Sequence, residues 1–351
     1  MRRSVRPCYE KGGYVYATGA REIALKSGRE RVALLASNEN PFPPSPPVLD
    51  AAMLAMRGVN RYPPEQPVSL LGALRRHHGD YSFAAGAGMD GIIETVIRVL
   101  VAPGEKVAVA TPTFSFYGVA ARGQGAEIVP VRRERDFSLD PDTFTRAMRD
   151  APLGFICSPN NPTGNAVSPE EIAVILEGIE GVLFLDNAYV DFSDLDYRPL
   201  MKKHDNLVIG RTLSKIYALA GLRIGYAFLP GWLVEPFARA ETPFAVSTVA
   251  AAAAEAALAD REGPAAYLAH VRRWRDRFSR EIRGRVFPSE ANFVLVDVAP
   301  SRSDEMTEAL AARGVVVRSC RSFPDLEDHY IRVSVGEDWE NERFITEINR
   351  P

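Results

Sequence analysis

Gly181-Val182-Leu183-Phe184-Leu185-Asp186 is a continuous apolar run that stops on a carboxylate. Its length and lack of polar alternation predict a strand covered on both faces. Similar runs occupy 106–110, 127–131 and 153–157, and Leu207-Val208-Ile209 follows later. Helical patterns separate them: Ile92, Ile93, Val96, Ile97 and Leu100, then a segment from Tyr117, a helix from Pro141 and one over 169–179. Strands alternating with helices build βαβ units, so this half predicts an α/β fold with a mostly parallel sheet. In such a sheet the carboxyl ends of the strands border the ligand crevice.

Outward from this half the pattern changes. The first ~40 residues read as irregular and end in the cluster Pro41-Phe42-Pro43-Pro44-Ser45-Pro46-Pro47, which regular helix and central strand both reject. Ser45 or Pro46 opens a helix carrying Val48, Leu49, Ala52, Met53 and Met56, and after Tyr62-Pro63-Pro64 another carries Leu70, Leu71 and Leu74. Beyond 245 an alanine-rich helix over 246–258 and a helix over 264–282 precede strand-like runs at 291–298, 315–317 and 330–335, with a helix at 303–312. These predict a smaller α+β unit. The expected division is an arm, 1–41, joined to the small domain, a large domain, 42–245, and a small domain, 246–351.

The chain has 351 residues, 46% hydrophobic and 25% charged, which excludes a disordered or collagen-like protein. Lys+Arg 42 against Asp+Glu 45 gives a net charge of −3, unlike a dedicated nucleic-acid binder. Cys8, Cys157 and Cys320 are far apart and form no C-x-x-C, and the histidines show no metal-ligand spacing, so neither a disulfide framework nor a metal site is expected. The weakly polar run at 245–259 is too short for a membrane span, and the N-terminus lacks the apolar core of a secretory signal. The expected location is the cytoplasm.

Four strand ends carry chemistry. Gly86-Ala87-Gly88-Met89-Asp90-Gly91 opens a helix, and its small residues and free N–H groups suit a phosphate. A dinucleotide site would need an acid at the end of the next strand, but that strand ends Ala110-Thr111-Pro112. Asp186 ends its run with Tyr189 three residues on. Arg211-Thr212-Leu213-Ser214-Lys215 places two hydroxyls and an amine after another run, with Arg223 between Gly221 and Gly225. Ser158-Pro159-Asn160-Asn161-Pro162-Thr163-Gly164 adds an amide donor. Alone, each is equally a turn, a cap or a surface charge. Together they meet the needs of pyridoxal phosphate: a lysine for its aldehyde, a carboxylate for its ring nitrogen, donors for its phenolate and a phosphate cradle.

The chain resembles the fold-type-I, class-II pyridoxal-phosphate aminotransferases, and most nearly their histidinol-phosphate branch, over essentially its full length. The motifs run in order: Ala36-Ser37-Asn38-Glu39-Asn40-Pro41, Arg61-Tyr62-Pro63, Pro112-Thr113-Phe114-Ser115-Phe116-Tyr117, Asn160-Asn161-Pro162-Thr163-Gly164, Asp186-Asn187-Ala188-Tyr189, Arg211-Thr212-Leu213-Ser214-Lys215, Ala220-Gly221-Leu222-Arg223, Ala291-Asn292-Phe293 and Tyr330-Ile331-Arg332-Val333-Ser334. The resemblance implies a seven-stranded, mostly parallel sheet flanked by helices. It implies that Lys215 holds the cofactor and moves a proton, that Asp186 pairs with the ring nitrogen, and that Asn161 and Tyr189 bind the phenolate oxygen. Phe114 would stack on the ring. Gly88, Met89, Asp90, Thr212, Ser214 and Arg223 would hold the phosphate. Tyr62 would reach the cofactor of a second subunit in a homodimer. Asn38, Arg318 and Arg332 would bind substrate, the arginines taking carboxylate and phosphate.

The implied reaction exchanges an amino group between histidinol phosphate and 2-oxoglutarate, giving imidazole-acetol phosphate and glutamate, in histidine biosynthesis. The alternatives are an aromatic or broad-range aminotransferase, or a decarboxylase of threonine phosphate, on the same scaffold. A regulatory module without turnover would call for a fused DNA-binding domain, for which the N-terminal stretch leaves little room. Arg211, Arg223, Arg318 and Arg332 are expected to gather positive charge in one cleft. Asn187 stands where the family often has an acid, Phe114 where tyrosine is common, Met89 where a small residue is usual, and Cys8 near a frequent aromatic.

Overall fold

The computed structural model describes residues 5–10, 13 and 15–350. Seven strands form the central sheet: β1 (Ser82–Ala87), β2 (Lys106–Thr111), β3 (Glu127–Arg132), β4 (Leu153–Cys157), β5 (Val182–Asp186), β6 (Leu207–Thr212) and β7 (Ile224–Leu229). Their order is β1-β7-β6-β5-β4-β2-β3. The ladders from β6 through β5, β4 and β2 to β3 are parallel, and only β7 runs against its neighbours β1 and β6. Pro130 lies on β3, at the sheet's edge, where a missing N–H breaks no ladder.

The apolar run that announced the sheet divides with strand periodicity. Leu183 and Leu185 enter a core with Ile172, Ile175 and Leu176 of helix Pro169–Gly178. Val182 and Phe184 enter the opposite core with Ile92, Ile93 and Val96 of helix Gly88–Leu100. Helix Pro169–Gly178 starts where the sequence says it should: Ser168 and Glu171 form a reciprocal capping box, and Pro169 occupies the first turn. With both faces covered, only the strand ends are free to carry polar work.

A second unit holds a four-stranded antiparallel sheet, in the order Arg318–Ser319, Tyr330–Ser334, Phe293–Asp297 and Arg285–Val286. Helix Glu262–Glu281 supplies its core with Tyr267, Val271, Trp274 and Phe278. The N-terminal strand Ala33–Leu34 pairs in parallel with Val315–Val316. Tyr189, Phe192 and Ile216 of the first unit pack into this second core, so the two units meet beside the ends of β5 and β6.

One sequence expectation needs correction. Residues before 41 are not wholly irregular, because Thr18–Lys26 is a helix. Its single buried residue, Ala24, left almost no apolar periodicity to read. The antiparallel pair β1 and β7 escaped the count of apolar runs, since Ser-Phe-Ala-Ala-Gly-Ala offers small residues instead of β-branched ones. The helix expected to open the small domain, observed as Thr248–Ala259, buries Ala250, Ala253, Ala254, Ala257 and Leu258 in the large unit's core. We therefore propose that the division falls after this helix, near Asp260, and not at 245.

Phe184 is fully buried in the sheet's helix-covered face. Phe184→Ala should destabilise the protein by about 3–5 kcal/mol in urea titration, with m unchanged.

Candidate active site

A cavity of about 640 Å³ lies over the carboxyl ends of β4, β5 and β6. It brings together most of the residues singled out from sequence: Asn38, Met89, Asp90, Phe114, Asn161, Asp186, Tyr189, Thr212, Ser214, Lys215, Arg223 and Arg332. Parallel strands cause the convergence, since each deposits its following loop at the same end.

Asp186, the last residue of β5, is 3% exposed. Its Oδ1 accepts from the Ala188 N–H at 2.9 Å, and its Oδ2 accepts from the Tyr117 hydroxyl at 2.5 Å. Burial pushes the carboxyl up to about 6, and the Tyr117 bond opposes the shift. At neutral pH the group remains largely ionised in an apolar setting, ready for a cationic partner.

Lys215 follows β6 and is half-buried. Its Nζ donates to the Ser37 carbonyl at 3.2 Å. Burial, followed by the positive charge of Arg332, lowers the amine to about 8. A lysine so placed has enough neutral amine at physiological pH to attack an aldehyde.

Two donors face the cavity by elimination. Asn161 Oδ1 accepts from Arg332 at 2.5 Å, so the amide group it offers a ligand is its NH2 end. The Tyr189 hydroxyl accepts from Asn38 Nδ2 at 3.1 Å, which leaves its own proton to donate. Asn38 itself, expected to touch substrate, is already engaged: its Oδ1 accepts from Ser334 at 2.9 Å, and its backbone is held at φ 53°. It orients Tyr189.

The phosphate cradle depends on glycine. Gly88 has φ 73°, and a Cβ there would stand 2.8 Å from the Arg223 guanidinium. A Cβ on Gly225 would come within 2.6 Å of the Gly88 carbonyl carbon. Only glycine lets the turn lie this close to β7. Helix Gly88–Leu100 has no side-chain cap on its first N–H groups, and Arg223 reaches Asp90 at 3.1 Å across that end. The hydroxyls of Thr212 and Ser214 border the same corner. Uncapped amides, hydroxyls and a guanidinium suit a phosphate monoester.

Arg332 is 4% exposed. It donates to Asn161 and to the Ala36 carbonyl at 2.5 Å each, and its Nε has no partner. No carboxylate lies within ion-pair distance of it among the described residues. A buried guanidinium in this condition favours a bound anion.

Other expected residues lie elsewhere. Arg318 is opposite Arg332 in the antiparallel ladder, but it lines an adjoining cavity of about 480 Å³ and donates to Ser322 at 3.0 Å. Tyr16 borders both cavities. Arg211 alternates away from the strand end and pairs with Asp191 at 3.2 Å. Tyr62 is 82% exposed, stacked on Phe244 at 4.7 Å, and outside the cavity. The expected positive cleft is therefore balanced: Lys215, Arg223 and Arg332 share the cavity with Glu39, Asp90 and Asp186. In the sequence Tyr117 marks the start of a helical segment and closes a family motif, with no role of its own. Its hydroxyl role had no signal in spacing, because it depends on β4 and β5 being neighbours.

Residues 30–348 match the family model "Aminotransferase class I and II", and the chain belongs to this family of enzymes. It is 60% identical, over 349 residues and 99% of both chains, to a histidinol-phosphate aminotransferase of Methanoculleus marisnigri. It is 55% identical over 353 residues, spanning 100% of both, to one of Methanosphaerula palustris. The structure superposes with a TM-score of 0.88 and 26% identity on a histidinol-phosphate aminotransferase from Sinorhizobium meliloti in complex with pyridoxal-5'-phosphate, covering 99% of this chain and 97% of that one.

The free protein should react with an aldehyde such as pyridoxal phosphate at a rate that rises with pH up to about 8 and then levels. Stopped-flow absorbance across pH reads this directly. A midpoint near an ordinary lysine value would contradict the burial argument.

Proposed function

We propose that this enzyme uses pyridoxal phosphate to exchange an amino group between L-histidinol phosphate and 2-oxoglutarate, giving imidazole-acetol phosphate and L-glutamate. The observation that carries the substrate choice is the full-length, 60% identity to the relative of that name. The cavity supports the cofactor, since its free donors, buried carboxylate, lowered lysine and glycine-built cradle match the group's polar atoms one by one.

The cofactor supplies an electron-poor ring that accepts the electron pair left when the substrate's Cα–H bond breaks. Asp186 keeps the ring nitrogen protonated through its negative charge. Asn161 and Tyr189 donate to the phenolate oxygen. Lys215 Nζ would take the proton from the substrate's Cα and return it to the carbon that was the cofactor's aldehyde, on the other side of the shared nitrogen. Phe114 covers the ring and keeps water from its face. Arg332 binds the α-carboxylate of glutamate. For the phosphorylated substrate we assign the phosphate to Arg332 with Arg318, because the ladder places the two directly opposite each other. Guanidinium suits both anions, so one site serves two unlike substrates.

We further propose a homodimer. Tyr62 is displayed outside its own cavity, and Met53, Leu54, Met56 and Val59, close before it in sequence, are also exposed, as a segment serving a second subunit would be. The proposed location is the cytoplasm, where Cys8, Cys157 and Cys320 would remain free thiols. No helix among the described residues is long and apolar enough to cross a membrane.

Comparing kcat/KM for histidinol phosphate, phenylalanine and threonine phosphate tests the assignment. Histidinol phosphate should lead by at least an order of magnitude, and Arg332→Ala should damage glutamate and histidinol phosphate alike, each by about 100-fold or more. A lead for phenylalanine, or carbon dioxide release from threonine phosphate, would overturn the substrate choice.

A further inference from the structure

Tyr117 lies in the first turn of helix Phe116–Gln124 and is fully buried. Its ring is stacked on Phe155 of β4, with centroids 4.8 Å apart and planes 7° apart. Its edge meets Phe114, the ring that borders the cavity, at 5.5 Å and 80°. The hydroxyl is thus aimed by packing on two sides, and its 2.5 Å bond ends on Asp186 Oδ2.

We propose that Tyr117 is a positioning residue for the cofactor ring: its hydroxyl holds the Asp186 carboxylate ionised and oriented toward the ring nitrogen. The proposal rests on the cofactor assignment above. Asp186 makes no ion pair among the described residues, so hydrogen bonds are the main support for its buried charge, with the more distant positive charge of Lys215 a lesser one. Two donors do so, the Ala188 N–H on Oδ1 and Tyr117 on Oδ2. The choice of a neutral donor is physical. A lysine or arginine here would neutralise the carboxylate and remove the charge that favours a protonated ring nitrogen. A tyrosine supports the anion through a short, charge-assisted bond and leaves its charge in place.

The donor also keeps its proton. Burial, reinforced by the nearby Asp186 charge, holds the Tyr117 hydroxyl well above its ordinary range. Burial drives Asp186 upward, and the Tyr117 bond is the largest influence pulling it back. Without that bond the carboxyl would titrate closer to neutrality and spend more time protonated, unable to attract a cation.

Tyr117→Phe removes the hydroxyl and keeps the stacked ring. The informative measurement is the affinity of the full-length, cofactor-free protein for two probes: pyridoxal phosphate and its analogue with C–H in place of the ring nitrogen. Wild type should prefer the nitrogen ring. Tyr117→Phe should weaken pyridoxal phosphate on the order of tenfold and leave the carbon analogue unchanged. Asp186→Asn should abolish the preference, and adding Tyr117→Phe to it should change nothing further. Equal weakening toward both probes, or an intact preference in Tyr117→Phe, overturns the proposal. A wild-type protein that binds neither probe overturns the cofactor assignment and the proposal with it.

Discussion

A carboxylate buried at the end of a strand is the constraint around which this molecule is arranged. Asp186 cannot be solvated there, so the surrounding chain supplies its hydrogen bonds: the turn after β5 through Ala188, and the helix after β2 through Tyr117. Those contacts fix the turn that presents Tyr189 and tie β5 to the helix that follows Phe114. The parallel ladder then sets Cys157 beside Asp186 and Gly210 beyond it, so the loops carrying Asn161 and Lys215 open at the same level. The cavity is a consequence of strand register.

Three distant stretches of chain close over it through buried polar links. Arg332 joins the Ala36 carbonyl to Asn161. Ser334 accepts from the Asn38 backbone and donates to its side chain, and Asn292 donates to the Asn38 carbonyl. Asn38 in turn fixes Tyr189. These bonds connect the N-terminal segment, the large sheet and the small sheet in one network. Each bond in it joins two of the three stretches, so the network is complete only when all three are in place, which couples folding of the second unit to assembly of the site.

The parallel strands and the helices between them were legible because burial on both faces writes unbroken apolar runs into sequence. The site residues at their ends were legible because a lysine, an acid and an amide following such runs have few structural reasons to recur together. What was hidden depends on contacts between runs. The alanine-rich helix at 248–259 has no polar face to orient it, and only packing against Val48, Leu70 and Leu74 assigns it to the large core. Arg211 reads like Arg223 in sequence, yet strand alternation sends it to Asp191 on the far side. Arg318 and Arg332 look equivalent and are cross-strand neighbours, but Arg332 lines the main cavity and Arg318 the adjoining one. The role of the Tyr117 hydroxyl is invisible until β4 and β5 are paired.

The account turns on one lysine. Among the lysines of the described residues, Lys26, Lys106, Lys202, Lys203 and Lys215, only Lys215 borders the cavity with a depressed amine. Loading the protein with pyridoxal phosphate, reducing it with borohydride and mapping the modified peptide by mass spectrometry tests this directly. The label should fall on Lys215 in one-to-one stoichiometry with the chain. A label on Lys202, Lys203 or any other lysine, with Lys215 unmodified, would contradict the account.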